Sequence, residues 1–418
     1  MKSKLTFGKF TINIDYGLVL ILLLFGLVSC FALYNAFNLV RSGAGPSNMR
    51  KQILFYCIGF FLMFYLASQG NEKVFKYINA AYLFLMAALV YLLISKFTER
   101  YLHTALPFTH SVNGASSWFN LPFFSFQPSE FIKIVLIVQV SKVVTEFQSF
   151  NKKPGWKAEW SLIFRIAKYA LPPLLLILIQ PDTGVAMIIG FTLAMEVLLS
   201  GALRPKWLYV IFGAVAIVIV LFFYLYFFDI DFLKSLITGY RFQRIEAWLE
   251  PDSHILGSSN QLYTALLSLG SAGLTGYGMQ ASIISIPEAH TDFIFAAIGQ
   301  CFGLAGTTVI LLLSLLLDWY LVRMISKVAT RQDKLILIGI LSMLCFQQLE
   351  NMGMIVGLFP ITGITLPLIS YGGSSTISYF IAFGIVMNMQ YKEKKPAVAK
   401  ADKPKAVRKR AQRTAQTA

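Results

Sequence analysis

The segment Pro287-Glu288-Ala289-His290-Thr291-Asp292-Phe293-Ile294-Phe295 sets two carboxylates and a histidine against the start of an apolar run. Partial burial at such an edge disfavours the ionised carboxyl, raises its pKa and makes Asp292 a better base near neutral pH. A plainer use is compatible with that one: Thr291 or Asp292 could cap the helix that the apolar run predicts. A second cluster is Gln127-Pro128-Ser129-Glu130 with Lys133. Pro128 suits a helix start, and Glu130 and Lys133 share a helix face and could pair inside a bilayer, as structure or as chemistry. In Gln180-Pro181-Asp182-Thr183-Gly184, a turn explains Pro and Gly, while Asp182 could also face a polar cavity. A fourth segment runs from Pro360 to Ser375 and holds Ser370, Gly372, Gly373 and Ser374. Its glycine amides could meet a phosphate, but it lacks the lysine of a P-loop. Glu350 and Asn351 add polarity within an apolar run, where helix–helix contacts are the ordinary use. The four histidines and four cysteines show no metal-ligand or disulfide spacing.

These groups need a scaffold, and the composition says which. Of 418 residues, 56% are hydrophobic and 13% charged. A soluble chain could not cover so much apolar surface, so an all-α integral membrane protein is predicted. About ten transmembrane helices are expected: Tyr16 to Val40, Gln52 to Ser68, Tyr77 to Ser95, Pro128 to Val144, Ser161 to Ile179, Val185 to Ser200, Leu208 to Phe228, Phe293 to Leu317, Leu335 to Gly357 and Thr376 to Tyr391. The first run is too long for a signal-peptide core. With the N-terminus in the cytoplasm, 27 of the 36 Lys and Arg residues fall on the cytoplasmic side, which predicts that both termini are cytoplasmic. The longest loops, His103 to Phe126 and Asp229 to Asp292, then lie outside, the larger between helices seven and eight. Chemistry is expected there. The net charge of +16 thus reflects topology and implies no nucleic-acid partner. Residues 1–391 form the polytopic domain, and 392–418 a basic tail predicted to be disordered and suited to anionic membrane lipid.

Taken together and in order, the clusters resemble the SEDS family of shape, elongation, division and sporulation proteins, which includes RodA, FtsW and SpoVE. The carrying residues are Gly114-Ala115 with Trp118, Gln127 to Glu130 with Lys133, Gln180-Pro181-Asp182 with Gly184, Gly270-Ser271, Gly273-Leu274, Gly276, Pro287 to Phe295 and Leu366 to Ser375. The resemblance implies a peptidoglycan glycosyltransferase that polymerises lipid II on the outer face of the bacterial cytoplasmic membrane, in cell-wall biogenesis for cell shape or cell division. It implies that Asp292 is essential, as base on the acceptor GlcNAc 4-hydroxyl, with undecaprenyl diphosphate leaving. Lys133, Arg241 and Arg244 are the expected phosphate contacts. Glu288 would tune Asp292, Trp118 would line the cavity, and Glu130, Asp182, Ser370 and Ser374 would bind or support substrate. No cofactor is evident, though a divalent cation could also stabilise the leaving group. A single-pass class B penicillin-binding protein is the implied partner.

The chain departs from the family pattern at Ser117, at Gly276-Tyr277-Gly278, at Gly299-Gln300-Cys301 and in the short stretch from Gly278 to Pro287. The lean is RodA-like. Two other readings are a lipid-linked sugar flippase, which should show interrupted helices at matching positions, and a non-catalytic scaffold of the cell-wall complex. For the first, Pro172-Pro173 is the candidate interruption, in span five.

Overall fold

The protein is described by a computed structural model covering residues 2–7, 10–39, 45–104, 106–109, 117–122, 124–151, 155–237, 239–252, 255, 257 and 259–391. It is a helical protein with two small hairpins. The chain opens with β1 (Lys2–Phe7) and β2 (Phe10–Asp15), paired antiparallel. Then come α1 (Tyr16–Asn35), a short 3-10 turn, α2 (Gly45–Gln69) and α3 (Asn71–Leu102). A two-residue hairpin, β3 (Phe119–Asn120) with β4 (Ser125–Phe126), precedes α4 (Pro128–Phe150). Next are α5 (Trp156–Ile179), α6 (Thr183–Leu199) and α7 (Lys206–Phe228). The large loop folds into α8 (Ile230–Leu236), α9 (Tyr240–Leu249) and α10 (Asn260–Ser271). The chain continues through α11 (Ile294–Lys327), α12 (Arg331–Ile355) and α13 (Gly373–Asn388).

Each of the ten expected segments carries a helix. Seven helices among the described residues are long and apolar enough to cross a membrane: α1, α2, α3, α5, α7, α11 and α12. α6 is apolar but has 17 residues. α4 carries Glu130, Lys133, Lys142 and Glu146, and stands at the centre of the bundle, with both faces buried from Ile132 to Val140. Around it α2 packs on α13, and α6 on α12. α7 is the opposite case: apolar all round, it buries only Trp207 within the chain, which is how a lipid-facing helix reads.

Several expected boundaries move. The first helix stops at Asn35 rather than Val40, while α3 runs past Ser95 to Leu102 and α11 past Leu317 to Lys327. Pro172-Pro173 does not interrupt span five; α5 is helical through both residues. Pro173 has no N–H for the carbonyl four residues earlier, and the Tyr82 hydroxyl donates to that carbonyl, on Tyr169, at 2.9 Å. The interruption lies elsewhere, at Gly303 in α11 (φ 58, ψ −148). The segment after α10 fills the gap. Tyr277 and Gly278 amides donate to the Gln300 and Cys301 carbonyls, and Leu304 and Ala305 amides donate to Gly273 and Leu274. A Cβ on Gly303 would stand 2.5 Å from the Gly273 carbonyl oxygen, and one on Gly276 2.4 Å from the Cys301 carbonyl, so the approach requires glycine at both. The Gly270 to Gly276 run therefore has a structural reason: it is the backbone plug of a broken helix. With α5 continuous, the matched interruptions of a transporter are not present among the described residues.

Candidate active site

The residues from Glu288 to Phe293 form a tight turn that feeds α11. Thr291 and Phe293 amides both donate to the Glu288 carbonyl, and Glu288 sits at positive φ (52) to allow it. This turn changes the expected capping. The residue at the N-cap is Phe293, with no side-chain cap bond, and the Thr291 hydroxyl turns back to donate to Glu288 Oε2 at 3.0 Å. Neither Thr291 nor Asp292 caps the helix. The Asp292 carboxyl, half-buried, has no side-chain hydrogen bond among the described residues.

Three elements converge on it. Asn351 of α12 donates at 2.7 Å to the Asp292 carbonyl and at 2.7 Å to the Ile364 carbonyl, tying the turn to the segment between α12 and α13. Gly363 in that segment (φ 79) leaves space: a Cβ there would stand 3.4 Å from Asp292 Oδ2 and 3.6 Å from Arg244 Nη2. The Arg244 guanidinium, from α9, thus shares one gap with the Asp292 carboxylate. Glu350 lies alongside, accepting from the Thr362 hydroxyl. Desolvation at this packed turn pushes the Asp292 carboxyl up to about 7; Glu288 adds to the rise, Arg244 opposes it and Glu350 adds again. His290 is lowered by burial, and its ring lies 5.8 Å from that of Tyr371. The Tyr371 amide donates to the His290 carbonyl at 2.9 Å, a second tie across the same gap.

The other polar residues gather in a separate centre. Lys133 Nζ bonds Glu130 Oε2 at 3.0 Å, with the Lys133 side chain 1% exposed. Lys133 also faces the Tyr379 ring at 5.7 Å. Asp182 caps α6 through the Val185 amide and accepts from Gln127 Nε2 at 2.8 Å and Ser129 Oγ at 3.3 Å. Burial moves the Asp182 carboxyl up from its ordinary range. Trp118 Nε1 donates to Gln127 Oε1 at 3.1 Å, and Ser374 Oγ accepts from the Gln127 amide and donates to the Ser125 carbonyl. Ser370 is buried, its hydroxyl accepting from the Leu366 amide. Lys133, expected at a phosphate, is thus turned inward onto Glu130. Arg244 does stand beside Asp292. The Arg241 side chain, Gly114-Ala115 and the tail 392–418 lie outside the described residues.

The two centres flank one strand of chain: Gly184 at the start of α6 meets the Thr362 carbonyl and Ile364, and Gly363 between them faces Asp292. Asn351 and Gln300 are the supporting residues that the sequence did not single out as such. Gln300 Oε1 accepts from the Ile284 amide at 2.7 Å and its Nε2 donates to the Ile284 carbonyl at 3.2 Å, pinning the loop that leads to Asp292. No group of three or more His, Cys, Asp or Glu residues able to hold a metal occurs among the described residues.

The chain was compared with known families, proteins and structures. A family model described as cell cycle protein, FTSW_RODA_SPOVE, matches residues 14–395. The probable peptidoglycan glycosyltransferase FtsW of Geobacter sulfurreducens is 35% identical over 283 residues, 67% of this chain and 71% of that protein. The peptidoglycan glycosyltransferase MrdB of Escherichia coli is 28% identical over 384 residues, 90% of this chain and 94% of that protein. A chain from a structure titled for the coordination of polymerization and crosslinking by a peptidoglycan synthase complex superposes with a TM-score of 0.68 at 25% identity, covering 90% of this chain and 96% of the other. With a model match over most of its length, and relatives of this similarity, the chain belongs to the SEDS family of FtsW, RodA and SpoVE proteins.

Proposed function

We infer that the chain is a peptidoglycan glycosyltransferase that polymerises lipid II at the outer face of the bacterial cytoplasmic membrane, with Asp292 as the base. The observation that carries the assignment of the base is the Asp292 carboxyl: it caps nothing, accepts no side-chain hydrogen bond among the described residues, and shares a gap with Arg244. The acceptor GlcNAc 4-hydroxyl gives its proton to Asp292. Its oxygen bonds to the anomeric carbon of the donor MurNAc as the bond to undecaprenyl diphosphate breaks. A base held near neutral pKa is half-ionised at working pH yet strong enough to take the proton. A diphosphate leaves as a stable anion, and Arg244 is the cation on hand to receive its charge. Glu288 tunes the base by its charge. Both termini are cytoplasmic in this reading, because Lys and Arg concentrate on that side. A class B penicillin-binding protein supplies crosslinking, and the similarity to a chain of a peptidoglycan synthase complex supports such a partner. A RodA-like role remains our reading between the family's branches, and the near full-length alignment with MrdB is compatible with it.

The test is Asp292→Asn, purified with its partner and fed lipid II, with glycan chains read on a gel. Loss of a positioned base lowers the rate about a hundredfold to ten-thousandfold. Undiminished chains would remove Asp292 from this role, and lipid II translocation untouched by the change would favour a flippase.

A further inference from the structure

The first turns of α5 carry a surface that the polymerisation chemistry does not use. Trp156, Trp160, Ser161 and Phe164 line an open groove of about 560 Å³, edged by Lys157, Arg165 and Lys168. All seven side chains are exposed. The aromatic wall is built rather than loose. Trp156 stacks on Trp207 with ring centroids 5.3 Å apart, Trp160 meets Trp207 edge-on at 5.3 Å, and Trp160 reaches Phe164 at 6.0 Å.

The acidic residue of this turn, Glu159, faces the other way. It is fully buried, accepting from Arg204 Nε at 2.9 Å, Arg204 Nη2 at 3.0 Å, the Arg204 amide at 3.0 Å and Trp207 Nε1 at 3.0 Å. Its charge is thereby spent on Arg204, and the residues lining the groove are three cations, three aromatics and Ser161, with no acidic group among them. α5 then continues as an apolar helix long enough to cross a membrane, which sets the groove at the membrane–water boundary. Tryptophan prefers that depth, and Lys and Arg there meet lipid phosphates.

We propose that this groove is a binding site for an anionic phospholipid, with the phosphodiester between Lys157, Arg165 and Lys168 and the acyl chains against Trp160 and Phe164. The cations supply the preference for net negative headgroups. The stacked rings supply a rigid apolar seat that loses little rotamer freedom on binding.

The test uses the purified full chain in detergent, titrated with phosphatidylglycerol or with phosphatidylcholine of the same acyl chains, and read by native mass spectrometry. Wild type is expected to retain phosphatidylglycerol in preference, on the order of tenfold, and the triple variant K157Q/R165Q/K168Q to lose that preference while its thermal unfolding is unchanged. A wild type that binds both lipids equally, or a triple variant that keeps the preference, overturns the site. So does displacement of the lipid by equimolar glycerol phosphate, which would make this a free-phosphate site. Should the triple variant fail to fold, wild-type tryptophan quenching by bromo-acyl phosphatidylglycerol decides: it must exceed quenching by the bromo-acyl phosphatidylcholine, and equal quenching overturns the proposal.

Discussion

Asp182 and Asp292 both sit at the entrance to a helix and both are raised by desolvation; the segment between α12 and α13 meets Asp292 directly and the Asp182 turn through Gly184. They differ in how their oxygens are used. Asp182 caps α6 and accepts from Gln127 and Ser129, beside the closed Lys133–Glu130 pair. The Asp292 carboxylate caps nothing, although its backbone is fixed by Asn351. One centre has its polar groups satisfied by one another, which rigidifies it. The other holds a carboxyl in place and leaves its oxygens for something outside the chain, with Arg244 as neighbour. Residue type and burial alone would not separate them; the hydrogen-bond inventory does.

The largest expected effect is at the open centre. Asp292→Asn should slow polymerisation by about a hundredfold to ten-thousandfold and raise thermal stability. The sign follows from the shift: the folded pKa lies above the unfolded value of 3.8, so the folded state holds the extra proton between 3.8 and about 7 and stability falls as pH rises through that window. Above it the penalty is complete, and the neutral amide removes it. Unfolding curves in detergent at neutral and alkaline pH would show the gain. A variant both inactive and unstable would put Asp292 with the braced centre instead.

At the closed centre the order reverses. Lys133→Met strands Glu130 in the interior and should cost about 3–5 kcal/mol, whereas the double variant E130Q/K133M should recover much of it. Thermal unfolding of both proteins measures this. Normal stability in Lys133→Met with a large loss of rate would instead make Lys133 part of the chemistry.

Gly303→Ala tests the support of the open centre. The left-handed φ and the 2.5 Å approach to the Gly273 carbonyl should cost about 1–3 kcal/mol or more. Activity should fall further than folding does, because the plug and the Gln300–Ile284 pair lead into the Asp292 loop. The smallest effect is expected from Arg244→Gln in pH terms: removing a charge that lowers the Asp292 pKa should move the acid limb of the rate upward, as well as slowing the reaction.

Much of this architecture is legible in the sequence, for physical reasons. Ten apolar runs announce helices, and Asp292 is conspicuous as a charge at the edge of one of them. The Lys133–Glu130 pair follows from helical spacing. What local pattern does not carry is contact at a distance. Arg244 reaches Asp292 from a helix inside the large loop between α7 and α11, which reads from sequence as an irregular connection. Gly303 lies in a run that reads as plain helix, and only the inserted Gly273 to Gly278 backbone shows why that run must break. The departure at Gln300, where the family pattern commonly has Glu, likewise acquires a cause in three dimensions, since an amide can both accept from and donate to Ile284, which a carboxylate cannot. The N-terminal hairpin did leave a signal, the alternation of Leu5, Phe7 and of Phe10, Ile12, Ile14, hidden beside a much stronger apolar run.

The central claim is that Asp292 must lose its proton before it can accept one from the acceptor sugar. The pH dependence of single-turnover polymerisation by the wild-type complex tests it most directly. The rate should rise tenfold per pH unit on the acid side, bend near the Asp292 pKa of about 7 and level off above it. A rate that stays flat across that range would contradict the assignment of Asp292 as the base.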